Sequence, residues 1–159
     1  FVNYGHRLDA LDLALHYGYF DPYTPYAHIS PSVVVVDGLG CVRIKNLGRR
    51  MPVHPLDPPS IKLEANGICI SHVCCNQDHP ERVQAILSLA LQAHLRRKGY
   101  DNVMALQITK RALCDIGDAN VDLLMQFAAV AKSLSHPGAL TLEAAALRQA
   151  SIVTSVLKQ

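Results

Sequence analysis

Apolar and polar positions change their rhythm partway along this chain. From Leu8 to about His16, leucines at positions 8, 11 and 15 follow helical spacing, with Leu13 on another side. Asp9 and Asp12 suit the early turns of such a helix and Gly18 suits its stop. Phe20-Asp21-Pro22-Tyr23-Thr24-Pro25-Tyr26 then reads as an extended, proline-punctuated loop. Val33 to Val36 is a β-branched run ending in Asp37-Gly38, and Cys41 to Ile44 alternates after it; together they predict a β-hairpin turning around Gly38-Leu39-Gly40. Ile61 to Glu64 and Ile68 to Ile70 flank Asn66-Gly67, which predicts a second hairpin with a type I′ turn. The proline-rich stretch from Met51 to Ser60 between them must be loop.

Near residues 71–79 the pattern turns helical. Asp78 is the expected N-cap of a helix with Pro80 in its first turn, and Val83, Ile86, Leu87, Ala90, Leu91 and Leu95 lie on one apolar stripe. Arg96-Arg97-Lys98 close it and Gly99 stops it. A shorter helix is expected over Val103 to Leu113. Another is expected over Ala119 to Leu134 with Asp118 as its cap, and a last one from Thr141 to about Leu157. Strands before the boundary and helices after it give an α+β fold class.

Composition narrows the function classes. Half of the 159 residues are apolar and 18% are charged, which is a globular balance. A net charge of +2 with only two short basic runs, Arg49-Arg50 and Arg96-Arg97-Lys98, predicts no nucleic-acid partner. No apolar run approaches the ~20 residues of a membrane span. The five cysteines are irregularly spaced and odd in number, so reduced thiols in a cytoplasmic or organellar reducing compartment are expected rather than a disulfide framework. His72-Val73-Cys74-Cys75 with His79 offers zinc-type ligands, with Cys69 and His54 as possible additions. Adjacent cysteines suit one tetrahedral site poorly, and buried cysteines commonly act as small hydrophobes, so metal ligation is not expected.

The most specific pattern is Phe1-Val2-Asn3-Tyr4-Gly5 followed by Leu13-Ala14-Leu15-His16-Tyr17-Gly18-Tyr19-Phe20-Asp21. It resembles the end of the SET domain in protein methyltransferases of the Rubisco large-subunit type, where a strand ends in Tyr-Gly or Tyr-Asp, a short helical stretch follows, and Leu-x-Tyr-Gly-Phe closes the motif. The resemblance covers about the first 21 residues and extends to the rest only in kind. It implies the C-terminal end of a SET domain over 1–26, a β-hairpin and proline-rich connecting region over 27–78, and a helical, bundle-like substrate-binding domain over 79–159. It implies an S-adenosylmethionine-dependent protein-lysine methyltransferase, with histidine as the target in some relatives, and a protein substrate as partner. Tyr4 would be catalytic, accepting a hydrogen bond from the target amine beside the methyl group. Tyr17 would line the target side-chain channel. Tyr19, in place of the usual Phe, would pack near the adenine, and Asn3 and Gly5 would shape the cofactor-side turn.

The family's glycine cofactor motif and Asn-His pair belong before this tyrosine and are not in the chain. Phe1 to Gly5 reads as a strand end whose sheet is expected upstream, and the chain by itself is expected to be inactive. A non-catalytic protein-interaction module and a small zinc-binding domain are the alternatives from other classes.

Overall fold

The computed structural model describes residues 8–45 and 58–158. The fold is α+β, with six short strands and four helices among the described residues. Helix α1 (Ala10–Tyr17) begins at Asp9 and ends at Gly18, whose backbone is left-handed at φ 64°. Strand β1 (Tyr26–His28) pairs antiparallel with β6 (Cys74–Asn76) as a separate two-stranded ribbon.

A second sheet contains β2 (Ser32–Val36), β3 (Gly40–Ile44), β4 (Ile61–Glu64) and β5 (Gly67–Ile70), in the order β2-β3-β5-β4. Both expected hairpins form, and they join: β3 runs parallel to β5, aligning Val42 with Ile68 and Ile44 with Ile70. Period-two alternation turns Val36, Val42, Ile44, Ile68 and Ile70 into the core and leaves Val33 and Val35 exposed on the other face.

Helix α2 (Pro80–Arg97) buries Val83, Leu87, Leu91 and Leu95, a four-residue spacing that turns one stripe into the core, where α2 meets α3, α4 and β6. Full burial of Leu87, Leu91 and Leu95 is worth roughly 1.5–3 kcal/mol each. Helix α3 (Asn102–Ser133) is 32 residues long, and α4 (Ala139–Leu157) packs along it in the most extensive contact between any two elements. Side chains from the four-stranded sheet, the ribbon and these three helices meet in a single apolar cluster. No described helix is long and apolar enough to cross a membrane.

Several local expectations are corrected. The β4–β5 turn is not type I′: Glu64 pairs with Gly67, so the loop is Ala65-Asn66, and no non-glycine residue among the described ones has a positive φ. Asp78 does not cap α2. His79 holds that position without a side-chain cap bond, while the Asp78 N–H donates to Asn76 Oδ1 at 3.0 Å. The two helices expected over 103–113 and 119–134 are one, capped by Asp101 rather than Asp118, since Asp101 Oδ1 accepts from the Met104 N–H at 2.8 Å. The expected gap between the two fell over residues 114–118, where α3 runs on unbroken. Gly117 gives α4 room, because a Cβ there would lie 3.1 Å from Lys158 Cγ and 3.2 Å from Leu157 Cβ. Asp118 pairs with the Lys158 ammonium. Helix α4 starts at Ala139, so Thr141 lies inside it rather than at its cap. Strands β1 and β6 were not expected: three residues each are too few to show a period.

Candidate functional site

Of the amino-terminal motif, Tyr17 and Tyr19 sit at the end of α1. That helix is eight residues long and would be marginal alone. Its first turn is closed by a reciprocal pair: Asp9 Oδ1 accepts from the Asp12 N–H at 2.9 Å, and Asp12 Oδ2 accepts from the Asp9 N–H at 3.3 Å. The second oxygen of Asp9 reaches outward. Oδ2 accepts from the His28 N–H on β1 at 2.9 Å and from Gln149 Nε2 on α4 at 2.7 Å. Gln149 completes the knot by donating to His28 O at 3.1 Å and accepting from the Leu11 N–H at 3.3 Å.

One buried carboxylate thus fastens α1 to both β1 and α4. Burial pushes the Asp9 carboxyl up to about 6; the Asp12 charge adds to this, while His28 and the backbone bonds from Asp12 and His28 act the other way. The Cys74 thiol lies buried in the same neighbourhood. Desolvation first, then the charges of Asp9 and Asp12, push it up to about 12.

Asp9, Asp12 and His28 place ligand-type atoms within 4.8 Å of one another. A divalent cation would find oxygen and nitrogen donors there. Yet both Asp9 oxygens already accept N–H bonds, which accounts for the cluster as a helix cap and a tie between elements.

Tyr17 is the last residue of α1 and Tyr19 follows the left-handed Gly18. The Gly18 N–H donates to Ala14 O at 3.0 Å and the Tyr19 N–H to Leu13 O at 3.4 Å, so the helix end holds the backbone of both tyrosines. Tyr17 and Tyr19 are 54% and 51% exposed, which leaves their rings presented at the end of a firmly docked helix. The loop beyond them is tied down by Arg148, whose Nη2 donates to Thr24 O at 3.2 Å and Gln77 Oε1 at 2.8 Å. Tyr4, Asn3 and Gly5 lie outside the described residues, as does His54.

The histidines and cysteines around β6 do not gather. Cys74 and Cys75 are consecutive in a strand and face opposite ways, Cys75 into the main core and Cys74 toward α1. His72 is buried with Nδ1 2.9 Å from Ser71 Oγ, and His79 lies out at the start of α2, 3.6 Å from Glu81. Among the described residues the one group of three or more metal-type side chains is Asp9, Asp12 and His28.

Two features had little or no sequence signal. Nothing in the sequence joins His28 and Gln149 to Asp9, because the contacts span 19 and 140 positions. Two adjoining surface hollows of about 370 and 380 Å³ flank Tyr100, whose basic neighbours read in sequence only as a helix end.

Comparison with protein-family models, with curated proteins and with solved structures finds no significant match for this chain.

Proposed function

We propose that this chain is the C-terminal part of an S-adenosylmethionine-dependent protein-lysine methyltransferase of the SET type, with its sheet and helices serving to hold the protein substrate. The observation that carries the reading is the arrangement at the end of α1. The Tyr17-Gly18-Tyr19 motif closes a helix that is locked to the body through Asp9, and it presents two half-exposed aromatic rings.

Such rings suit a methyl-transfer site. The face of an aromatic ring attracts an ammonium or sulfonium cation by ring electrostatics, worth on the order of 0.5–2 kcal/mol. Tyr17 would bound the path of the target lysine, Tyr19 would pack against the adenine, and Tyr4 would orient the amine. Bound S-adenosylmethionine supplies the activated methyl group. The described residues offer it only the aromatic contacts, and the remainder of its site would have to come from other parts of the protein.

Rigid placement matters here because transfer needs the amine and the methyl carbon held at near-attack distance, where a misplacement of 1 Å can cost roughly 100-fold in rate. The knot of Asp9, His28 and Gln149 would serve that purpose from the other end of α1.

The test is calorimetric titration with S-adenosylmethionine, on this chain and on the encoded protein including any residues that precede Phe1. Methyl transfer to lysine-containing proteins follows. Binding and transfer by the longer form are expected. Tyr19→Ala should weaken cofactor binding about three- to tenfold, and Tyr17→Ala should raise KM for the protein substrate. Absence of binding by both forms overturns the reading. The chain would then stand as a non-catalytic interaction module, a reading favoured by the open groove beside Tyr100.

A further inference from the structure

The β2–β3 turn sits against the junction of α2 and α3. Gly38 at its tip has φ +87° and touches the opposing wall so closely that a Cβ would lie 2.8 Å from Ile108 Cδ1 and 3.2 Å from Tyr100 Oη. Turn and helices are therefore in fixed contact at that point. On either side of it the surface opens into the two hollows, which share Gly38 and Tyr100 and so form one groove bent around the tyrosine.

The polar side chains along this groove are uncommitted. Lys98 lines one hollow; Asp37, Gln107 and Arg111 line the other. Among the described residues none of the four makes a side-chain hydrogen bond or an ion pair. Arg111 and Asp37 line the same hollow without pairing. Surface charges that satisfy one another carry little information about ligands, whereas two cations, a carboxylate and an amide left unpaired in one groove are donors and acceptors available to a partner. Met104 and Ile108 supply apolar surface between them.

We propose that this groove binds an extended, acidic segment of a partner protein, with a carboxylate of the segment held by Arg111 and a second one by Lys98. Charge favours an acidic occupant. The groove has two cations against one carboxylate, and Arg96 and Arg97 add exposed positive charge just before Lys98. Guanidinium and carboxylate match in planar, two-bond geometry, which makes Arg111 the specific contact and Lys98 the less directional one. Shape favours a chain over a small molecule. The hollows are open to solvent and adjoin at Gly38 and Tyr100, whereas small-molecule sites enclose most of the ligand. Asp37 lies beside Arg111 and opposes acidic ligands, so it sets a limit on charge density rather than supporting affinity. The site is independent of the methyl-transfer reading and would operate in a non-catalytic module equally well.

The experiment uses a fluorescein-labelled peptide of alternating leucine and glutamate. Controls are a leucine–lysine peptide and a single-stranded oligonucleotide, at about 0.15 M salt where only close charges act strongly. Anisotropy titration gives affinity, and amide NMR shifts locate the contact. The acidic peptide is expected to bind and to shift the amides of Gly38, Gly99 and Tyr100, while the basic peptide does not. Arg111→Glu should weaken it at least tenfold, equivalent to 1.4 kcal/mol, and Lys98→Glu severalfold. Asp37→Asn should tighten it two- to threefold. Thermal melts should place all three variants beside the parent chain, since each changes an exposed side chain. No binding of the acidic peptide at millimolar concentration overturns the proposal. So does binding indifferent to both charge reversals, or an oligonucleotide that binds more tightly than the peptide.

Discussion

Gln149 donates its side-chain amide to Asp9 Oδ2 at 2.7 Å, joining the last helix of the chain to the cap of the first. Asp9 is 2% exposed and Gln149 3%, so this bond is made away from water. A buried carboxylate is tolerated only when its oxygens are filled, and here Asp12, His28 and Gln149 fill them. The aromatic end of α1 inherits its position from that arrangement.

Gln149→Leu keeps the volume and removes both ends of the amide. Asp9 loses an N–H donor, while Leu11 N–H and His28 O lose their partners. Leaving a buried group unsatisfied costs about 1–3 kcal/mol, more for a charged one. We expect a loss of about 3 kcal/mol in urea denaturation, with α1 amides exchanging with solvent well before those of α3.

The same carboxylate makes stability depend on pH. Its native pKa of about 6 lies above its ordinary value of 3.8, so the native state holds the proton more tightly than the unfolded chain does. The stabilisation is complete below about pH 4 and is lost as pH rises through about 6, amounting to roughly 3 kcal/mol across the window. Asp9→Asn should remove this slope between pH 4 and 6. A parent chain whose stability rises across that interval, or an unchanged slope in the variant, would contradict the assignment to Asp9.

Thiol reactivity should divide the cysteines by burial. Cys74 is held up to about 12 and Cys75, fully buried, well above its ordinary value, so neither supplies thiolate at neutral pH. Cys41 and Cys114 are part-exposed. In the native protein a maleimide probe should modify Cys41 and Cys114 within minutes and spare Cys74 and Cys75 until denaturant is added. Mass spectrometry of tryptic peptides reads the pattern directly, and zinc should give no protection to Cys74 or Cys75.

How far the sequence could be read depended on the range of the deciding interaction. Helix α1, both hairpins and the buried stripe of α2 were legible, because their signals are local periods and stop residues. The parallel joining of β3 to β5 was not, since it depends on pairing across the proline-rich connection. The unbroken α3 was misread because an aspartate has two meanings in sequence, a helix cap or a surface charge inside a helix; Asp118 is the second and pairs with Lys158, while the adjoining Gly117 lets α4 approach. At the candidate site, Tyr17 and Tyr19 were named from a motif and are found flanking a helix end. The Asp9, His28 and Gln149 knot at the other end of that helix had one visible member, Asp9 at an early turn, and two invisible ones.

Two glycines separate these cases experimentally. At Gly67 an added Cβ would run into the backbone carbonyl of Cys41 on the parallel neighbour β3, and backbone has no rotamer with which to yield. The turn is fixed from the other side as well, because the Cys41 N–H donates to Asn66 O at 2.9 Å. Gly67→Ala should therefore push β5 from β3 and cost roughly 3 kcal/mol, at the upper end of overpacking. At Gly117 the new methyl meets Lys158 Cγ at 3.1 Å and Leu157 Cβ at 3.2 Å, a side-chain stem that can swing and a buried neighbour that must shift by tenths of an ångström. Alanine also gains about 1 kcal/mol of helix propensity inside α3. Gly117→Ala should come out within about 1 kcal/mol of the parent, while the larger Gly117→Leu should lose at least about 2 kcal/mol as it pries α4 from α3. Urea midpoints at constant m-value measure all three. A severe loss in Gly117→Ala with tolerance of Gly67→Ala would mean that the tight approach lies between the helices rather than in the sheet.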